Sequence, residues 1–148
     1  MRNLGTRHGT RLAAALLAAL ATGSGCLSPA APPRPPSGGQ TLVLSYDGFV
    51  AAVEPVLERH GCDAAGDCHG GGIRGTLELS PPDAKDPHYD FEQVVMQVYP
   101  TQRDSSPILR EPLADSAGGL PHPYKAFAST RDSDYQAIRG WIQAGVLQ

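Results

Sequence analysis

The chain is 148 residues long, with fourteen prolines, seventeen glycines and a formal net charge of −3, a length that suits one domain. The charge is segregated: residues 1–40 hold four arginines and no acidic side chain, while 41–148 hold all fifteen acidic side chains against eight basic ones, about −7 net. Such a surface is a poor match for nucleic acid or anionic lipid and a better one for a partner protein with a basic docking face.

Residues 1–25 have the three parts of an export signal: basic Arg2, Arg7 and Arg11, an apolar run over 12–21, and a small-residue stretch leading to Cys26. Ten apolar residues are too few to cross a bilayer. Two processing sites compete. Ala19-Leu20-Ala21 fits an A-x-A cleavage site and would leave Cys26 as a thiol. Gly23-Ser24-Gly25-Cys26 resembles a bacterial lipobox, in which Cys26 is the lipidated first residue, although Gly23 stands where that pattern prefers Leu. Three cysteines make an odd count, and lipidation of Cys26 removes the unpaired one. Residues 26–40, rich in Pro and Gly, read as an extended tether. The expectation is an exported domain, periplasmic or held at the outer membrane by an N-terminal lipid.

Residues 41–148 form the globular part. Thr41-Leu42-Val43-Leu44 is a short extended entry. Ser45 can cap a helix whose apolar positions are Phe49, Val53, Val56 and Leu57, with Pro55 as a kink and Gly61 as the stop. A second helix is expected over 90–98 with Phe91, Val94, Val95 and Val98 inward, and a single turn at Pro107-Ile108-Leu109. Residues 111–129 read as a long loop. The final helix is the clearest, capped by Asp132 and striped by Tyr135, Ile138, Trp141 and Ile142 before Gly145. The predicted class is all-α: a small domain of three to four helices with long irregular loops.

Chemistry concentrates in Gly61-Cys62-Asp63-Ala64-Ala65-Gly66-Asp67-Cys68-His69-Gly70. Two thiols followed at once by a histidine is the arrangement that covalent haem attachment needs: two sulfurs add to the porphyrin vinyl groups and the imidazole meets the iron from one face. The thiols stand five residues apart where two is usual, and the small Asp-Ala-Ala-Gly-Asp insert can loop outward. No nucleophile elbow, phosphate loop or paired-carboxylate site accompanies this motif, so an electron carrier is expected rather than a catalyst.

The order of features resembles the cytochrome c family, and most of all its exported, often lipid-anchored domains from environmental bacteria. The matching pieces are Phe49, Val53, Pro55 and Leu57, then Cys62, Cys68-His69-Gly70, then Gly75, Leu77 and Leu79. Ser106, Leu109, Glu111-Pro112, His122 and Phe127 follow, and Tyr135, Ile138, Trp141-Ile142 and Gly145 complete the series. This resemblance implies a cytochrome c-like domain over 41–148, one covalent haem c at Cys62, Cys68 and His69, and a redox partner protein. It also places the distal iron ligand in the loop that holds His122 between Pro121 and Pro123. Met96 is the other candidate, but its apolar helical position suggests core packing, and an open site is a third arrangement. His60 reads as a helix-end residue and His88 as a solvated one.

Two rivals remain. Cys62 and Cys68 could close a disulfide in a haem-free, cytochrome-like binding or structural module. Cys62, Cys68, His69 and another histidine could bind zinc, though the spacing is unlike that of zinc sites.

Overall fold

The computed structural model describes residues 41–66, 68–72 and 75–148. The export signal, the tether and Cys26 lie outside the described residues. Helices dominate: α1 (Tyr46–Ala52), α2 (Glu54–Arg59), α3 (Pro87–Val95), α4 (Pro107–Arg110) and α5 (Ser133–Gln143). Unlike the expected all-α class, the fold also has a two-stranded antiparallel sheet. In it β1 (Leu42–Val43) pairs with β2 (Val146–Leu147), Leu42 opposite Leu147 and Val43 opposite Val146. This ladder joins the start of the described chain to its end, continuing through Thr41 N–H to the Gln148 carbonyl at 2.9 Å.

The Ser45 cap forms, its Oγ accepting from Gly48 N–H at 3.0 Å. Pro55 has a stronger effect than a kink. It cannot donate the hydrogen bond that a continuous helix requires, so α1 ends and a new helix begins with Pro55 in its first turn. Gly61 closes α2 with a left-handed φ of +64°. Gly61 N–H donates to Glu58 O and Cys62 N–H to Leu57 O, both at 2.9 Å, the reciprocal pair of a Schellman ending.

α3 begins three residues before the expected start, because Asp86 caps it by accepting from His88 and Tyr89 N–H and Pro87 stands in its first turn. It also ends earlier, at Val95. Met96 is therefore not a core residue as expected: it lies past the helix and is 61% exposed.

Asp132 caps α5, and Tyr135, Ile138, Trp141 and Ile142 are all buried as the stripe predicted. Trp141 is the centre of an aromatic cluster with Phe49 at 5.8 Å and Phe91 at 6.3 Å between ring centroids. Its indole N–H donates to the Ser45 carbonyl at 2.8 Å, tying α5 to the cap of α1.

The segment expected as a long loop is well structured. Leu113 and Phe127 pair in an isolated parallel bridge and are 1% and 2% exposed. Ala114 N–H donates to Phe127 O, Phe127 N–H to Pro112 O, and Leu120 N–H to Arg110 O. Lys125 Nζ draws the turn together, donating to the Leu120 and Glu111 carbonyls and pairing with Asp115 at 2.9 Å. The result is a pinned turn that carries His122.

Candidate functional site

The end of α2 delivers Cys62 to the wall of the domain. Beyond it the chain leaves and returns: His69 N–H donates to the Cys62 carbonyl at 2.9 Å, and Gly70 N–H to Ala64 O at 3.1 Å. These bonds bring His69 beside Cys62 and Gly70 beside Ala64. Gly70 is required here for space. A Cβ at this position would lie 1.6 Å from the Asp63 carbonyl oxygen, so no other residue fits without opening the loop.

His69 is oriented by main chain. Its Nδ1 lies 3.0 Å from the Leu77 carbonyl. A carbonyl only accepts, so Nδ1 carries a proton and Nε2 is the nitrogen left free of this contact. The same arrangement recurs at His122, whose Nδ1 is 2.6 Å from the Tyr124 carbonyl and 3.3 Å from the Tyr124 amide nitrogen. The carbonyl contact is the shorter of the two and calls for a proton on Nδ1, whereas the amide contact calls for a lone pair there. The two rings lie 6.1 Å apart between centroids, with planes only 20° from parallel.

Both histidines and both thiols line one cavity of about 590 Å³, within the range of cofactor pockets. Its apolar wall includes Val56, Leu57, Leu77, Ile108, Phe127 and Ile138. Cys62 and Cys68 are free thiols. Burial pushes the Cys62 thiol up to about 11, with the neighbouring Cys68 and Asp63 adding to the rise. Among the described residues no group of three or more His, Cys, Asp and Glu side chains is placed to hold a bare metal ion.

Met96 does not line this cavity. His60 does, as a wall residue with its Nε2 held by Asp134 at 2.9 Å and its ring edge-on to Phe127. His88 is exposed, but its ring stacks on Tyr46 at 4.0 Å. The structure thus brings together Cys62, Cys68, His69 and His122.

This donor set suits a haem. Two imidazoles each place Nδ1 against a main-chain carbonyl, which leaves Nε2 as the nitrogen that could meet a metal. Two thiols lie on the same wall, and the remaining lining is apolar.

Beneath the Cys loop lies a buried ionic network that sequence patterning does not reveal. Lys85 Nζ pairs with Asp63 at 2.8 Å and Asp90 at 3.1 Å, and both carboxylates are almost fully buried. Asp90 also accepts from Ser80 N–H at 2.6 Å and from Ser80 Oγ–H at 2.8 Å.

Comparison with protein-family models, curated proteins and solved structures finds no match for this chain.

Proposed function

We propose that the domain binds one haem c and carries electrons. The observation that supports this best is the facing pair His69 and His122, each with its Nδ1 occupied by a main-chain carbonyl, on a cavity that also holds both thiols. In this reading His69 and His122 would hold the iron and Cys62 and Cys68 would hold the porphyrin through thioether links. The chemistry supplied when haem is bound is a one-electron Fe(III)/Fe(II) exchange.

The chain's own residues do the rest. The Leu77 and Tyr124 carbonyls would orient the two rings by accepting from Nδ1–H, leaving each Nε2 to face the cofactor. Val56, Leu57, Ile108, Phe127 and Ile138 exclude water from the cavity wall, which makes the site's potential depend on burial as well as on ligand type. With His69 and His122 both holding the iron, small molecules would be kept from it, which suits a carrier better than a catalyst. The acidic surface suits a redox partner with a basic docking face. The export-signal pattern and the lipobox-like Cys26 favour a carrier outside the cytoplasm, tethered through its N-terminal lipid to the outer membrane.

The test is to produce the full chain in a bacterial host alongside the haem-attachment machinery and record its mass and visible spectrum. The expected product carries one covalent haem and a low-spin spectrum. A purified protein with no Soret band and a Cys62–Cys68 disulfide would overturn the reading in favour of a haem-free scaffold.

A further inference from the structure

The usual spacing of haem-binding thiols is two residues, and this chain has five. Something must hold a longer, glycine-containing loop in one shape. Main-chain bonds from His69 N–H to Cys62 O and from Gly70 N–H to Ala64 O close its base, each contributing about 0.5–1.5 kcal/mol. The buried network below the loop adds a second constraint.

That network has two arms. Asp63, next to Cys62, is 3% exposed and takes Lys85 Nζ at 2.8 Å. Asp90, 1% exposed, takes the same Nζ at 3.1 Å and grips Ser80 through both its backbone N–H and its hydroxyl. Ser80 follows Leu79, whose N–H donates to the His69 carbonyl at 2.9 Å, and Leu77 O orients the His69 ring. One arm therefore ends beside Cys62 and the other on the strand-like segment that fixes His69. The Lys85 ammonium pairs with both carboxylates and so joins the two arms. Glu58 stands farther off, at 4.0 Å from Nζ.

We propose that Lys85 is a positioning residue for the Cys62–His69 loop, and that its bridge between Asp63 and Asp90 presents both thiols together despite their wide spacing. This rests on the haem reading. Each thioether bond forms by addition of S–H across a vinyl C=C: sulfur joins one carbon, the proton joins the other, and nothing leaves. No oxidant or reductant is consumed. What the addition requires is that both sulfurs reach their vinyl groups from one bound pose, and that is the geometry Lys85 would hold.

The experiment compares the full chain with Lys85→Met, Lys85→Arg and Asp63→Asn, each produced with the haem-attachment machinery. Thioether count is read by peptide mass spectrometry, and main-chain hydrogen exchange is followed over 62–72, at Leu79 and in α5. Lys85→Met is expected to give mainly one thioether and one free thiol. Its exchange over 62–72 should be roughly tenfold faster, well within what losing one partner of a buried ion pair can cost, with α5 unchanged. Lys85→Arg should recover two thioethers. Asp63→Asn leaves the Lys85–Asp90–Ser80 arm in place, so it should loosen 62–72 and spare Leu79; it also decides the matter if Lys85→Met fails to fold. Two thioethers at the parent yield and parent exchange in both Lys85→Met and Asp63→Asn would overturn the proposal, as would loss of protection spread equally through α5. If the parent chain takes up no haem, the haem reading falls. Exchange alone then decides: faster over 62–72 upholds the positioning role, and unchanged refutes it.

Discussion

His69 and His122 are 53 positions apart in sequence, yet their rings lie 6.1 Å apart between centroids and 20° from parallel on one cavity. Each is held by a carbonyl from a neighbouring segment of its own, Leu77 for one and Tyr124 for the other. If both bind iron, replacing either should be visible at once. In the haem-loaded protein His122→Ala should shift the iron to high spin and allow carbon monoxide to bind, whereas Met96→Leu should leave the spectrum unchanged, since Met96 is 61% exposed and off the cavity. His122→Met should raise the midpoint potential, because thioether ligation favours the ferrous state. An unchanged His122→Ala spectrum would remove His122 from the ligand set.

Much of this is legible in the sequence where the signal is local. Ser45 and Asp132 are side chains that cap helices, and the Tyr135, Ile138, Trp141, Ile142 stripe repeats at helical spacing, so both elements follow from their own residues. For α3, Asp86-Pro87 is as good a start signal as Asp90, and a helix started at Asp90 runs too far and carries Met96 into the core. The structure of the loop holding His122 depends on a pairing between Leu113 and Phe127, fourteen residues apart. The terminal sheet joins residues more than a hundred apart, and neither has a periodic signature. The buried Lys85 network is invisible in the sequence for a different reason: burial of charge depends on three-dimensional partners, and hydropathy assigns all of these residues to the surface.

Gly70→Ala tests whether the loop closure is tight. Its new Cβ would lie 1.6 Å from the Asp63 carbonyl oxygen, and that atom belongs to the backbone and cannot swing aside. The substitution should destabilise the domain by about 1–3 kcal/mol and sharply reduce haem attachment, read by thermal melting and by haem per protein. Gly71→Ala is a milder comparison, with its nearest contact at 3.1 Å. Equal yields for Gly70→Ala and the parent would show that the loop opens at no cost.

Asp134 ties α5 to the end of α2, accepting from the Arg59 guanidinium at 2.9 and 3.2 Å and from His60 Nε2 at 2.9 Å. Hydrogen bonds from Arg59, and then from His60, hold its carboxyl below the usual aspartate range. A depressed carboxylate contributes stability that is present above its unfolded pKa, near 4, and is lost as pH falls through the lower folded value. Asp134→Asn should therefore cost about 1 kcal/mol at neutral pH. The gap to the parent should close in acid, and melting curves from pH 7 down to pH 3 would reveal whether it does.

Glu54 shows the opposite sign. It is 7% exposed, and its Oε1 has no hydrogen-bond partner among the described residues. Burial pushes its carboxyl up, with Glu58, Asp90 and Asp63 adding to the rise and Lys85 opposing it. A raised carboxyl binds its proton more tightly in the folded state than in the unfolded one. Its favourable contribution is fully present below the unfolded pKa and is lost as pH rises through the folded value. At neutral pH the ionised side chain is thus a net cost, because one buried oxygen lacks a donor and three carboxylates lie nearby. Glu54→Gln keeps the size, removes the charge and brings a donor of its own. It should raise the melting temperature at pH 7 by a few degrees, corresponding to about 1 kcal/mol in a domain of this size, and the advantage should vanish near pH 4. A Glu54→Gln protein that melts below the parent at pH 7 would mean that the Glu54 charge is supported by Lys85 more than it is penalised by burial.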